Sequence, residues 1–277
     1  MSVAIFFDMN SNPYKLNSSS SSATISGQIV TNRDIQTIVQ ERKCTYLSIR
    51  ECAISDEALE EFGDLTEIVS LTIESCTGLS NLDFLAALTN LRSLTINDCE
   101  ITDISALGNL SGLERLSLQG NQISNISVLA SIEELQVLDL SQNQITDLTP
   151  LSTQTALTEC NVSDNQLQSL QGIETACSLT SLDVSGNALT NLDECSQMIK
   201  LFTLKASDNQ ITDLEGIRNC TILERLELMN NQLTELSVLE GRLVDLTSLL
   251  ISGNSVADLS PIRASEKPEY LLARGNG

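Results

Sequence analysis

Histidine and tryptophan are both absent from this 277-residue chain. Without histidine, the Ser-His-Asp and Cys-His nucleophile systems, the H-E-x-x-H zinc sites and imidazole acid–base catalysis are closed to it. Basic residues are scarce: 15 Lys and Arg stand against 37 Asp and Glu, for a formal net charge of -22. Such a surface repels phosphate, which argues against nucleic acid and points instead to solubility or to a basic protein partner. No apolar stretch approaches the roughly 18 residues of a membrane span, so no membrane partner is expected. The apolar run Val3-Ala4-Ile5-Phe6-Phe7, closed by Asp8, is too short for a signal peptide. The expected location is therefore intracellular, cytoplasmic or nuclear. Glycine-rich phosphate loops are missing too, since Gly120, Gly186 and Gly253 simply precede asparagines. Eight cysteines occur without any C-x-x-C spacing, so reduced thiols are expected rather than a metal site. Carboxylate pairs are the remaining acid–base option, but among 37 acids chance pairs abound. The reading is a chain that is not an enzyme, with no cofactor and no metal.

What the chain does have is a repeat. Asn121, Asn143, Asn165, Asn187, Asn209 and Asn231 recur every 22 residues, each followed two places later by Ile or Leu. The unit reads L-x-x-L-x-L-x-x-N-x-I-x-D-I-x-x-L, as in Leu113, Leu116, Leu118, Asn121, Ile123, Ile126 and Leu129. Its L-x-L segment alternates with period two and predicts a short strand with leucines inward. One coil cannot bury its own leucines, so neighbouring coils must stack into a parallel sheet lining a concave face. The asparagine amide can both donate and accept, which suits a buried seam where the chain leaves the sheet. Thr102-Asp103, Thr146-Asp147 and Thr212-Asp213 suit the capping of short turns on the convex side.

Going backward, Cys99, Cys76 and Cys52 take the asparagine slot at 23- and 24-residue spacings; going forward, Asn254 and Asn276 continue it. Cys44, Cys160, Cys195 and Cys220 replace core apolar residues, and only Cys177 lies outside these slots. The expected organisation has three parts: a flexible N-terminal arm over 1–26, containing the run Ser18 to Ser22, a helical N-terminal cap over 27–43, and a repeat domain over 44–277. That domain holds about ten repeats plus a partial eleventh. In the cap, Ile35, Ile38 and Val39 share one helical face. Ser55 is expected to cap a further helix carrying Leu59 and Phe62. No comparable cap is read at the C-terminal edge, which leaves a bare edge, a surface for self-association or a truncation of a longer protein as the expectations.

The phase of the unit, L-x-x-L-x-L-x-x-N-x-I-x-D-I over residues 44 to 276, identifies a leucine-rich repeat. It resembles the 22-residue subclass found in a regulatory subunit of protein phosphatase 1, in axonemal dynein light chains and in bacterial internalins. The fold class expected is an α/β solenoid: a leucine-rich-repeat horseshoe with a parallel concave sheet and short helical or irregular convex segments. The resemblance implies protein binding through the concave sheet. An adaptor or scaffold is thus expected, with a phosphatase 1 regulatory subunit and a structural component of a cytoskeletal or axonemal assembly as alternatives.

The outward strand positions name the candidate partner-binding residues: Arg115, Asp139, Glu159, Asn161, Asp183, Lys205, Arg225 and Glu227. Asp139, Glu159 and Asp183 are expected to concentrate negative potential, with Lys205, Arg225 and Glu227 as a mixed cluster beside them.

Overall fold

The computed structural model describes residues 22–41, 44–241, 245–262 and 270–276. The Val3–Phe7 patch falls outside the described residues. Contacts divide the chain into two compact units, Met1–Leu135 and Gln136–Gly277.

In the first unit five parallel strands stand side by side: β1 (Ser22–Ser26), β3 (Tyr46–Arg50), β5 (Ser70–Glu74), β6 (Ser93–Asn97) and β7 (Arg115–Ser117). The pairings Ser22↔Tyr46, Tyr46↔Ser70, Ser70↔Ser93 and Ser93↔Arg115 step by 24, 24, 23 and 22 residues. Coil length decides what returns the chain to the sheet. In the two longest coils a short strand pair, β2 (Ile29–Val30) with β4 (Ala53–Ile54), leads into true α-helices, α1 (Asn32–Glu41) and α2 (Asp56–Phe62). The shorter coils use 3-10 turns such as Asp83–Ala87 and Ser105–Asn109. These turns rise further per residue, so they span the same distance with fewer residues.

Two expectations are corrected here. Residues 22–26 are the first strand of the solenoid rather than the end of an arm. Helix α1 is the return segment of the coil that β1 opens, at the place α2 holds one coil later, instead of a lid over the Cys44 coil. Both helices start from side-chain caps. The Thr31 N–H and hydroxyl each donate to Asp34 Oδ2 at 2.7 Å, and the Ala58 N–H donates to Ser55 Oγ at 3.2 Å. Burial pushes the Asp34 carboxyl above the usual carboxylate range, although the Thr31 N–H pulls the other way. Phe62, at the end of α2, is fully buried and meets Phe84 edge-on with ring centroids 5.0 Å apart.

The second unit repeats one plan. Its seven parallel strands are β8 (Val137–Asp139), β9 (Glu159–Asn161), β10 (Ser181–Asp183), β11 (Thr203–Lys205), β12 (Arg225–Glu227), β13 (Ser248–Leu250) and β14 (Tyr270–Leu272). The central residue of each strand from β8 to β13 points inward and is buried, as at Leu138, Cys160, Leu182, Leu204, Leu226 and Leu249. Each such leucine contributes about 1.5–3 kcal/mol on leaving water.

The asparagine column forms the expected seam. Asn165 Nδ2 donates to the carbonyls of Val162 and Ser163 in its own coil and of Leu140 in the coil before. Asn187, Asn209 and Asn231 repeat the pattern. In the first unit Asn121 keeps the amide, donating to the Ile96 and Leu118 carbonyls, and cysteine substitutes in the coils before it: the Cys76 thiol donates to Glu74 and Ile49 carbonyls at 3.3 and 3.6 Å and accepts the Cys52 N–H at 3.4 Å. The residue just before each seam position has a left-handed backbone, with φ between 52° and 73° from Gly27 to Gly275. Glycine takes this position most readily, which explains Gly120, Gly186 and Gly253 there.

Candidate functional site

The candidate surface is the outer face of the strands, where side chains alternate away from the leucine core. Arg115 lies on β7 of the first unit and is exposed. The other seven candidates lie on the second unit. Strand register sorts them into two columns. Asp139, Asn161, Asp183, Lys205 and Glu227 are direct cross-strand neighbours in one continuous row. Glu159 and Arg225 belong to the adjacent row but are separated by Ser181 and Thr203, hence about 14 Å apart at ~4.8 Å per strand. Glu159 thus lies on the strand between those of Asp139 and Asp183, one row aside, and Arg225 stands in that same row on the strand of Glu227.

The row does more than face solvent. Asp139 Oδ1 accepts the N–H of Ser141 at 2.9 Å and its hydroxyl at 2.6 Å. Asn161 Oδ1 accepts the same two donors from Ser163, at 3.1 and 2.8 Å, and Asp183 Oδ1 accepts the Ser185 N–H at 3.0 Å. These side chains close the backbone where the chain leaves the strand. Asn161 and Asp139 are also joined at 3.4 Å. Lys205 Nζ stands 3.7 Å from Asp183 Oδ2, with 43% and 23% of the two side chains exposed. At that exposure the pair contributes under about 1 kcal/mol. Asp139, Glu159 and Arg225 have no ion pair within 4 Å among the described residues. Sequence alternation identifies these positions as outward but misses their backbone bonds, which depend on the chain turning two residues later. On the opposite side of the coils, Asp103, Asp147, Asp213 and Asp258 each accept the N–H two residues on, as expected for turn caps. The Ser105 N–H and hydroxyl hold the Asp103 carboxyl below its usual range.

All eight cysteines are free thiols, and only Cys177 among them is exposed. The described residues contain no cluster of three or more His, Cys, Asp or Glu able to hold a metal ion, and no helix long and apolar enough to cross a membrane.

Family models described as leucine-rich repeats match three stretches: two copies over 89–131, one over 134–155 and one over 175–192. The chain has the leucine-rich-repeat fold. Among solved structures, an internalin (inlF) from Listeria monocytogenes is similar at 25% identity and a TM-score of 0.75, covering 92% of this chain and 81% of that one. An internalin C2 (inlC2) from the same organism is 26% identical with a TM-score of 0.61, covering 76% of this chain and 83% of that one. The plant peptide hormone receptor RGFR1 in complex with RGF2 shares the fold alone, at 23% identity and a TM-score of 0.69, covering 83% and 38%. Comparison with curated proteins returns no match.

Proposed function

We propose that this leucine-rich-repeat chain is a non-enzymatic adaptor or scaffold that binds a basic segment of a protein partner on the outer sheet face of its second unit. The observation that carries the reading is the row Asp139–Asn161–Asp183. Its side chains are oriented by backbone bonds before any partner arrives, so little ordering is lost on binding. Asp139 and Glu159 have no ion pair among the described residues, which leaves their charge for a partner. The free thiols support an intracellular setting.

Affinity purification with mass spectrometry, run on the native chain and on the double variant Asp139→Asn, Asp183→Asn, tests this. Asparagine keeps the oxygen that accepts the backbone N–H, as Asn161 shows, and removes only the charge. The expected result is a partner whose affinity drops at least tenfold, about 1.4 kcal/mol, with association slowed chiefly at low salt. Asp147→Asn with Asp213→Asn, on the turn side, controls for net charge. A partner that ignores the sheet variant and loses the turn variant moves the site to the other surface. Recovery of the catalytic subunit of protein phosphatase 1 would select the phosphatase-regulator alternative, and co-purification of axonemal or cytoskeletal components the structural one.

A further inference from the structure

Because the coils of the second unit repeat one plan, each surface column shows what the fold itself asks for. The residue entering the strand is Thr158 before β9 and Thr180 before β10, and their hydroxyls donate to the carbonyls of Gln136 and Thr158 at 3.0 Å. Thr247 before β13 donates likewise to Glu224 at 3.1 Å. Phe202 occupies that position before β11 and is 41% exposed. Its backbone keeps the ladder, with its N–H on Thr180 and its carbonyl receiving Glu224 and Arg225, but the hydroxyl bond is given up for a half-exposed ring. Gln136 before β8 and Glu224 before β12 hold the same place, so every other described coil of the unit from β8 to β13 puts a polar residue there.

Two more bulky apolar residues accompany it. Ile199 is 59% exposed and Ile222 is 44% exposed. Ile199 holds the place of Cys177 in the preceding coil and of Thr221 in the next; the N–H of each donates to the carbonyl two residues earlier at 2.8–2.9 Å. These loops enter β10, β11 and β12, stacked about 4.8 Å apart. Cys177, Ile199, Phe202 and Ile222 therefore line one flank beside the sheet face. Single exposed apolar residues are ordinary, but a cluster that departs from its own repeat calls for a partner. The setting states its charge. In the loops 198–202 and 220–225, exposed Lys200 and Arg225 face one acid, Glu224, on a chain of net charge -22, and neither cation has an ion pair among the described residues.

We propose that this flank docks a protein segment that sets bulky apolar side chains on Ile199, Phe202 and Ile222 and a carboxylate near Lys200 and Arg225. The site is independent of the acidic row and asks for a partner of opposite charge. A second copy of this chain is disfavoured as occupant by mutual repulsion.

The probe is a library of random 12-residue peptides displayed on phage, selected against the intact chain. Cys177, the one exposed thiol, carries an environment-sensitive fluorophore. Selected peptides should combine two or more bulky apolar residues with Asp or Glu, shift the emission at Cys177, and lose at least tenfold in affinity for Phe202→Thr. That variant restores the threonine of the two preceding coils, Thr158 and Thr180, so its melting temperature should be unchanged or higher. Failure to select peptides, undiminished binding to Phe202→Thr, or a fall in its melting temperature that marks the ring as structural would each overturn the proposal. Basic peptides indifferent to Phe202 would report the acidic row instead and equally sink it. So would concentration-dependent dimerisation abolished by Phe202→Thr, which would make a second copy the occupant.

Discussion

The Ile145 N–H donates to Asn165 Oδ1 at 2.9 Å across a separation of 20 residues. One side chain thereby ties the exit from its own strand to the turn of the previous coil, because its Nδ2 donates to three carbonyls at the same time. Asn165→Ala is expected to cost roughly 1–3 kcal/mol, since buried backbone groups lose their partners. Exposed Glu159, on β9 and outside the seam, is the control, and Glu159→Ala should stay within about 0.5 kcal/mol. Urea unfolding of both variants decides the matter, and equal midpoints would show that the seam carries no special energy.

The seam was legible in the sequence because a polar residue recurring at a fixed period inside a leucine pattern must find the same hydrogen-bond partners in every coil. The first coil was not. In β1 the core positions are Ala23 and Ile25 rather than leucines, and Gln28 stands where Cys52 and the asparagines stand later, so the pattern loses its markers. On the sheet face, alternation told which side Asp139, Asn161 and Asp183 occupy. It could not tell that their oxygens are engaged by Ser141, Ser163 and Ser185, because that depends on the left-handed residues Gln142, Asp164 and Gly186 bending the chain just beyond. Phe202 stands out only after the coils are superposed and its cross-strand neighbours prove to be polar, Thr180 on one side and Glu224 on the other.

Two glycines separate close approach from backbone conformation. A Cβ on Gly216 would strike the Leu192 carbonyl of the previous coil, whereas one on Gly27 would meet nothing within 4 Å, although its φ is 68°. Gly27→Ala should therefore cost only the left-handed penalty of about 1–2 kcal/mol. Gly216→Ala must push two coils apart and should cost more, about 3 kcal/mol or above. Thermal unfolding of the two variants checks the order, and a larger loss at Gly27 would mean that the coils slide apart easily.

Burial raises the buried thiols: Cys99 and Cys220 to about 11, and Cys160 to about 12 with the nearby Asp139 charge adding to it. An unfolded thiol ionises near 8.5–9, so between that value and the folded one the unfolded chain has released protons that the folded chain still holds. Stability is thus fully present below about pH 8 and falls as pH rises toward 11, by at most about 1.4 kcal/mol per pH unit for each such thiol. Urea midpoints at pH 8 and pH 10 measure it. The same burial should leave Cys177 as the only thiol alkylated rapidly in the native protein, with all eight modified after denaturation. A flat stability profile, or two thiols left unmodified after denaturation, would contradict this account.

Lys205 provides a test of sign for the acidic row. Its ammonium, 3.7 Å from Asp183, offsets part of the negative potential that a basic partner would meet. Lys205→Gln removes that offset and leaves the Asp183 bond to Ser185 in place, so association with a basic segment should accelerate, by about two- to threefold at low salt and less as salt rises. The fold should barely respond, since so exposed a pair contributes under about 1 kcal/mol. Asp183→Asn should act in the opposite direction on the rate. Stopped-flow association of the partner recovered by purification with the two variants, at low and physiological salt, reads both effects. Slower association of Lys205→Gln would mean that the partner brings a carboxylate to this face, and the acidic row would then be structural rather than a recognition surface.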